Sequence, residues 1–310
     1  MKEENKKISL KLGDVSWSNK LGIYYIDMRP SIIHYTDNIY DGGFDENGVP
    51  MINDGTGNLY YSPVNICQYA FMIQANFFEY KNEKDSQTLA ACMMVLENTK
   101  TETETSVCWI QNNYNKRYDI QPPWVGAMDQ GQALSFYARY YQITKEEHFL
   151  NQCKKIAAYF EVDIQDGGFK RIDDNGNLWF EEYPSKEPSY VLNGFVYALY
   201  GLIDFYRVNN DQKIKKIIDQ CFITLKESIH LYDSGYWSYY DQLKKELVRY
   251  YYQKNVHIPQ LESIYLLTNE KIFLKYYKKW KKTMNPINYA FVQIMYRVLP
   301  RFRNIVKSLK

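Results

Sequence analysis

The chain has 310 residues, of which 38 are basic and 36 acidic, for a formal net charge of +2. That balance excludes a nucleic-acid surface carried by overall charge, and the length allows a sizeable core. Five scattered cysteines, Cys67, Cys92, Cys108, Cys153 and Cys221, make no CxxC or Cys/His spacing suited to zinc, so reduced, buried thiols and no metal site are expected.

Residues 1–17 are polar and lack the apolar core of about 7–15 residues that a signal peptide needs. No run of about 18 apolar residues follows, so the expected location is cytoplasmic. Residues 1–60 lack helical periodicity and carry the turn signals Asp41-Gly42-Gly43, Asn47-Gly48 and Asp54-Gly55, which predict an N-terminal extension of short strands and hairpins. From 61 to 285 the pattern becomes helical. Runs of helical period fall at 64–80, 86–98, 129–143, 145–161, 189–207, 211–229, 256–268 and 270–283, with Phe149, Cys153, Ile156, Ala157 and Phe160 as one such stripe and Thr144 as its expected N-cap. Helices of this length in pairs predict a mainly α fold, an (α/α) toroid of antiparallel helix pairs. One β-hairpin interrupts them, with runs 167–172 and 178–182 around Asn175-Gly176. It delivers Glu182 and Tyr183 to a helix expected to start at Ser189. The tail 286–310 carries Arg297, Arg301, Arg303, Lys307 and Lys310, no acidic residue, and the apolar set Phe291, Ile294, Met295, Val298 and Leu299. It reads either as an amphipathic helix at the inner face of an anionic membrane or as a terminal helix packed on the domain.

Glu181-Glu182-Tyr183 places two carboxylates and a phenol at a strand end facing an apolar helix, the layout of an acid/base site. The 31 tyrosines fit either a biased codon usage or a sugar cleft lined by aromatic faces. Trp124 is a candidate subsite floor. Gln130, Gln132 and Asn193 fall in first helical turns, where a side-chain amide either binds sugar hydroxyls or bridges helices. The chain has no G-x-x-x-x-G-K-[ST], G-x-S-x-G or H-E-x-x-H, which removes P-loop NTPases, elbow-type serine hydrolases and zincins.

Five segments in order, Ala127 to Ala133, Glu181-Glu182-Tyr183-Pro184, Tyr190 to Phe195, Leu231-Tyr232-Asp233-Ser234-Gly235 and His257 to Leu261, resemble the D-glucuronyl C5-epimerase family over about residues 60–280. Tyr60 to Tyr69 is similar to the family's segment ahead of the toroid, which puts Tyr61 and Gln68 among the expected substrate contacts. The resemblance implies an (α/α) toroid, no cofactor, a homodimer, and inversion at C5 of D-glucuronic acid units in a heparosan-like polysaccharide to give L-iduronic acid. Carried over by motif, the catalytic residues are Glu182, Tyr183, Tyr240 and Tyr252, the last within Tyr250-Tyr251-Tyr252, where a slip of one position changes the choice. The chain departs from the pattern in three places. Gln253 stands where histidine is usual, one extra residue separates Tyr252 from His257, and the arginine expected shortly after Tyr240 is replaced by Leu243 with Lys244 beside it.

The chemistry constrains the site independently of the name. C5–H lies α to the uronate carboxylate, so its removal spreads charge into an enediolate that a cation or donors must neutralise. Inversion needs one group to take the proton on one face and another to return one on the opposite face. A glutamate and a tyrosine can divide these tasks, and a tyrosine base, ordinarily about 10, needs a cation beside it to hold a useful phenolate fraction, for which Lys244, Arg249 or His257 is expected. Two rivals stay open: a polysaccharide lyase, which begins with the same abstraction, and a non-catalytic glycan-binding or assembly protein. A glycoside hydrolase built on Glu181 and Glu182 is disfavoured, because adjacent strand residues point to opposite faces.

Overall fold

The computed structural model describes residues 8–35 and 40–308, with side chains described as far as Leu299. Lys310 and the polar residues 1–7 lie outside the described residues, as do the side chains of Arg301, Arg303 and Lys307.

The toroid is built of four helical hairpins: α1 (Pro63–Tyr80) with α2 (Glu83–Thr99), α3 (Ala127–Thr144) with α4 (Glu147–Ala158), α5 (Leu192–Asn209) with α6 (Gln212–Ser228), and α7 (Ile258–Thr268) with α8 (Lys271–Thr283). The first helix of each pair is inner and the second outer, and composition decides which. In α3 every residue from Ala127 to Arg139 is buried, and α5 is buried without a break from Leu192 to Phe205, as befits a helix walled on all sides. Outer helices α4 and α6 bury a single stripe, such as Phe149, Cys153, Ile156 and Ala157. Gly131 and Gly201 let α3 and α5 cross backbone to backbone. A Cβ on Gly201 would lie 2.3 Å from the Gly131 carbonyl oxygen, so no larger residue fits.

Each hairpin turns through one left-handed residue, Lys81, Lys145, Asn210 and Asn269, with φ between 53° and 64°. Its N–H closes the end of the inner helix, on Phe77, Tyr141, Tyr206 and Tyr265 carbonyls respectively. Thr144 differs from its expected role: it is the last residue of α3, and Glu146 occupies the N-cap of α4.

The N-terminal extension holds a two-stranded pair, β1 (Lys11–Leu12) and β2 (Ile26–Asp27), and a meander of β3 (Gly42–Phe44), β4 (Pro50–Asn53) and β5 (Leu59–Tyr60). It shares the toroid's core. Tyr24 stacks on Phe71 with centroids 3.9 Å apart and Tyr25 on Tyr200 at 4.0 Å. The Tyr25 hydroxyl donates to Asp204 at 3.0 Å, within a fully buried ion network in which Arg139 also reaches Asp204 at 2.9 Å and Arg207 at 3.5 Å. A short pair unseen in the sequence, β6 (Thr101–Glu102) and β7 (Val107–Cys108), precedes α3. The foreseen hairpin is β8 (Lys170–Ile172) with β9 (Leu178–Phe180), its turn held by the Asp173 carboxylate, which accepts from the backbone N–H of Asn175 and Asn177.

A single α turn, Tyr250–Tyr252, runs into α7 through a π-helical turn, Gln253–His257. This absorbs the extra residue noted between Tyr252 and His257: a π turn inserts one residue while the helix continues. Helix α9 (Pro286–Ser308) closes the chain.

Candidate active site

After Phe180 the strand pleat sends two neighbouring carboxylates to opposite sides. Glu181 turns toward the entrance of α5, where the Ser189 hydroxyl donates to it at 2.6 Å and the backbone N–H groups of Ser189 and Tyr190 donate at 3.1 and 2.9 Å. These bonds hold Ser189 and Tyr190 outside the helix, which is why α5 begins at Leu192 and not at Ser189. Burial raises the Glu181 carboxyl to about 6 despite those donors and Arg171, whose Nε lies 3.3 Å away.

Glu182 turns the other way. The Tyr240 hydroxyl donates to its Oε1 at 3.2 Å, and the Asn193 amide donates to Oε2 at 3.4 Å. Gly194 packs against it so closely that a Cβ there would lie 2.2 Å from Oε2. With 7% of its surface exposed, Glu182 is pushed up to about 7, first by burial and further by the like charge of Asp129. Asp129, in the first turn of α3, is itself raised to about 7 by burial, with the Gln111 amide donating to it at 3.1 Å. Tyr240 reaches Glu182 from 58 residues downstream because its own backbone is pinned: its carbonyl accepts from Leu192 N–H at 3.2 Å and its N–H donates to the Glu246 backbone carbonyl at 2.8 Å.

Tyr183, Tyr240 and Tyr252 line one cavity of about 340 Å³ together with Arg117 and Arg249. Tyr240 and Tyr252 meet edge to face at 6.0 Å, and Tyr183 stacks on Tyr118 at 4.7 Å. The Arg117 guanidinium lies 4.8 Å above the Tyr240 ring and pairs with Asp241 at 3.2 Å and Glu246 at 3.0 Å. The Glu182 anion, before burial, holds the Tyr183 phenol well above its ordinary value. For Tyr240 burial leads and Glu182 adds, and Tyr252 is pushed up to about 12 by the same two causes. Tyr252 also lines a second cavity, of about 220 Å³, with Gln68, Asn193 and Tyr197. Of its neighbours, Tyr251 shares a hydrogen bond with Ser31 at 2.7 Å, and Tyr250 meets the Tyr289 ring edge to face at 4.6 Å.

The other residues singled out from sequence divide. Trp124 is buried 6.0 Å from the Tyr183 ring, its indole donating to the Asn113 carbonyl at 2.9 Å. Lys244 stands 5.5 Å over the Tyr118 ring, and Arg249 lies 5.0 Å from the Tyr296 ring. Four residues lie elsewhere. Tyr61 lines a separate cavity and donates to Asp45 at 2.7 Å. Gln130 is wholly buried and donates to the Val107 and Ile156 carbonyls, so it bridges helices and does not face the opening. Gln132 is wholly buried in α3. His257 is wholly buried against Trp280, shares a hydrogen bond with Ser238 at 2.8 Å, and is lowered to about 3 by burial, so it is a neutral imidazole and cannot serve as the expected cation.

Sequence reasoning missed Arg117, Tyr118 and Asp129. Asp129 lay inside a segment already singled out, Ala127 to Ala133. Arg117 sits in an irregular stretch with no periodicity to mark it, yet it brings a guanidinium to the ring of Tyr240, the residue after which the family's arginine was expected.

The fold is therefore an (α/α) toroid whose inner helices surround a carboxylate and phenol cluster, and its likeness to a cellobiose 2-epimerase from Bacillus thermoamylovorans is one of fold: TM-score 0.53 at 13% identity, over 77% of this chain and 65% of that one. The family model for the D-glucuronyl C5-epimerase C-terminus matches residues 101–282, and the chain belongs to that family. An uncharacterized protein of Methanocaldococcus jannaschii is 32% identical over 181 residues, 57% of this chain and 58% of its own. The D-glucuronyl C5-epimerase of Caenorhabditis elegans is 29% identical over 201 residues, 59% of this chain and 31% of its own. The chain thus matches less than two thirds of the length of either relative.

Proposed function

We propose that the chain is a polysaccharide uronate C5-epimerase that converts D-glucuronic acid to L-iduronic acid units in a heparosan-like polymer. The observation that carries the reading is a single cavity walled by Tyr183, Tyr240, Tyr252 and Arg117, against which a carboxylate with a value of about 7 is hydrogen-bonded. A group poised near neutrality is suited to take and return a proton at ordinary pH. The phenols are raised, so they are protonated and act as donors.

In this reading Glu182 removes the proton from C5, and the electron pair moves into the uronate carboxylate. Arg117, already at the cavity wall, faces the developing charge. Tyr252 returns its hydroxyl proton to the opposite face of C5, leaving a protonated Glu182 and a phenolate, and solvent restores both. Tyr240 holds Glu182 in place through its 3.2 Å hydrogen bond. The reverse reaction exchanges the two roles.

The test is incubation with heparosan-type and chondroitin-type polymers in heavy water, read by NMR at C5 and by absorbance. Deuterium uptake without unsaturated uronate supports the epimerase, with Glu182→Gln inactive. A rise in unsaturated-uronate absorbance assigns a lyase. Polymer binding with no exchange in either polymer assigns a glycan-binding protein.

A further inference from the structure

Helix α9 is apolar on two sides. On one, Val292 is fully buried and Tyr289, Met295, Tyr296 and Leu299 pack onto Trp237, Leu247 and Val248, with the Tyr296 hydroxyl donating to the Val248 carbonyl at 2.5 Å. On the other, Ile287, Phe291, Ile294 and Val298 are 86, 45, 58 and 45% exposed. Their spacing of four, three and four residues places them in one stripe. Exposed Arg297 lies on the same helix. A contiguous apolar strip of this kind marks an interaction surface.

Charge identifies the occupant. From Pro286 to Lys310 the sequence carries five Lys or Arg and no Asp or Glu, whereas residues 1–285 carry 33 basic and 36 acidic residues. The C-terminal segment is thus a cationic element on an otherwise slightly acidic chain. A second copy joined through the same stripe would set cation against cation. An acidic lipid surface offers both an apolar layer for the stripe and counter-charge for the bases. Among the described residues no helix is long and apolar enough to cross a membrane. We propose that α9 lies flat on an anionic bilayer, its outer stripe seated at the headgroup boundary. The surface is independent of the catalytic reading, although the same helix walls the cavity through Met295, Tyr296 and Leu299.

The experiment is co-sedimentation of the full chain with vesicles of phosphatidylcholine alone and of phosphatidylcholine mixed with phosphatidylserine. Binding to the mixed vesicles is expected, falling as salt rises, and about tenfold weaker or more for Ile287→Asp/Ile294→Asp. Both positions are exposed, and circular dichroism checks that the variant is folded. No binding to mixed vesicles, equal binding to both compositions, or binding unchanged in the variant overturns the proposal. So does a dimer in sedimentation velocity that this variant dissociates while the vesicles go unbound. C5 exchange on a soluble polymer without vesicles reads the catalytic site separately.

Discussion

Glu182 is a carboxyl whose folded value, about 7, lies above its ordinary 4.5. The folded chain therefore holds that proton more tightly than the unfolded chain does. The sign follows: stability from this group is fullest below about pH 4.5 and falls as pH rises to about 7, by roughly 3 kcal/mol. Glu182→Gln is expected to raise the melting temperature near pH 8 by more than it does near pH 5, and equal gains at the two values would contradict the burial argument. The C5 exchange rate should climb through about pH 7 in the wild type and drop by about 10²–10⁴-fold in the variant. Arg117 makes a different prediction. Its side chain is 41% exposed but its partner Asp241 is fully buried, so Arg117→Ala should lower stability and, in the fraction that circular dichroism shows folded, lose roughly 10²–10³ in exchange rate, with Arg117→Lys recovering part of both, because a point charge replaces part of the planar fork. A rate within a factor of two of wild type for Arg117→Ala would remove the guanidinium from the mechanism.

Among elements, the helical hairpins were the most legible, because outer helices such as α4 carry one apolar stripe and inner helices such as α5 a long, mostly apolar run. Residues 64–80 and 270–283 of the sequence reading fall on α1 and α8 almost residue for residue. What sequence could not supply was long-range capture. The start of α5 is set by the Glu181 carboxylate, and the placement of Gln130 by two carbonyls 23 and 26 residues away. The motif carrying Tyr252 was legible, but only the π turn explains how an inserted residue leaves His257 in the helix. Strands of two residues, such as β6 and β7, are too short for any period to show. The left-handed turns also escaped notice, since two of the four carry lysine where glycine is the residue that adopts this conformation without strain. Lys145→Gly should relieve that strain and stabilise the chain by about 0.5–1 kcal/mol, measured as a higher denaturant midpoint at an unchanged slope.

One main core packs residues from Leu21 to Trp280 together, with two smaller clusters about Trp124 and Trp237 beside it, so the N-terminal extension and the toroid share their stability. The tie between them is Asp204, which meets Tyr25, Arg139 and Arg207 out of contact with solvent. Asp204→Ala leaves Arg139 buried without its counter-charge and should cost about 3–5 kcal/mol in thermal or denaturant unfolding, while a loss under 1 kcal/mol would show that the network contributes little. The five cysteines follow from the same architecture. Cys67, Cys92, Cys108, Cys153 and Cys221 are all unpaired and hidden, on α1, α2, β7, α4 and α6, and burial keeps each thiol protonated. A native molecule should therefore ignore an alkylating reagent, and any excursion that bares one sulfur would leave a permanent chemical mark at a known address. Brief pulses of such a reagent, mapped by mass spectrometry, would turn the chain into its own recorder of which hairpin breathes first.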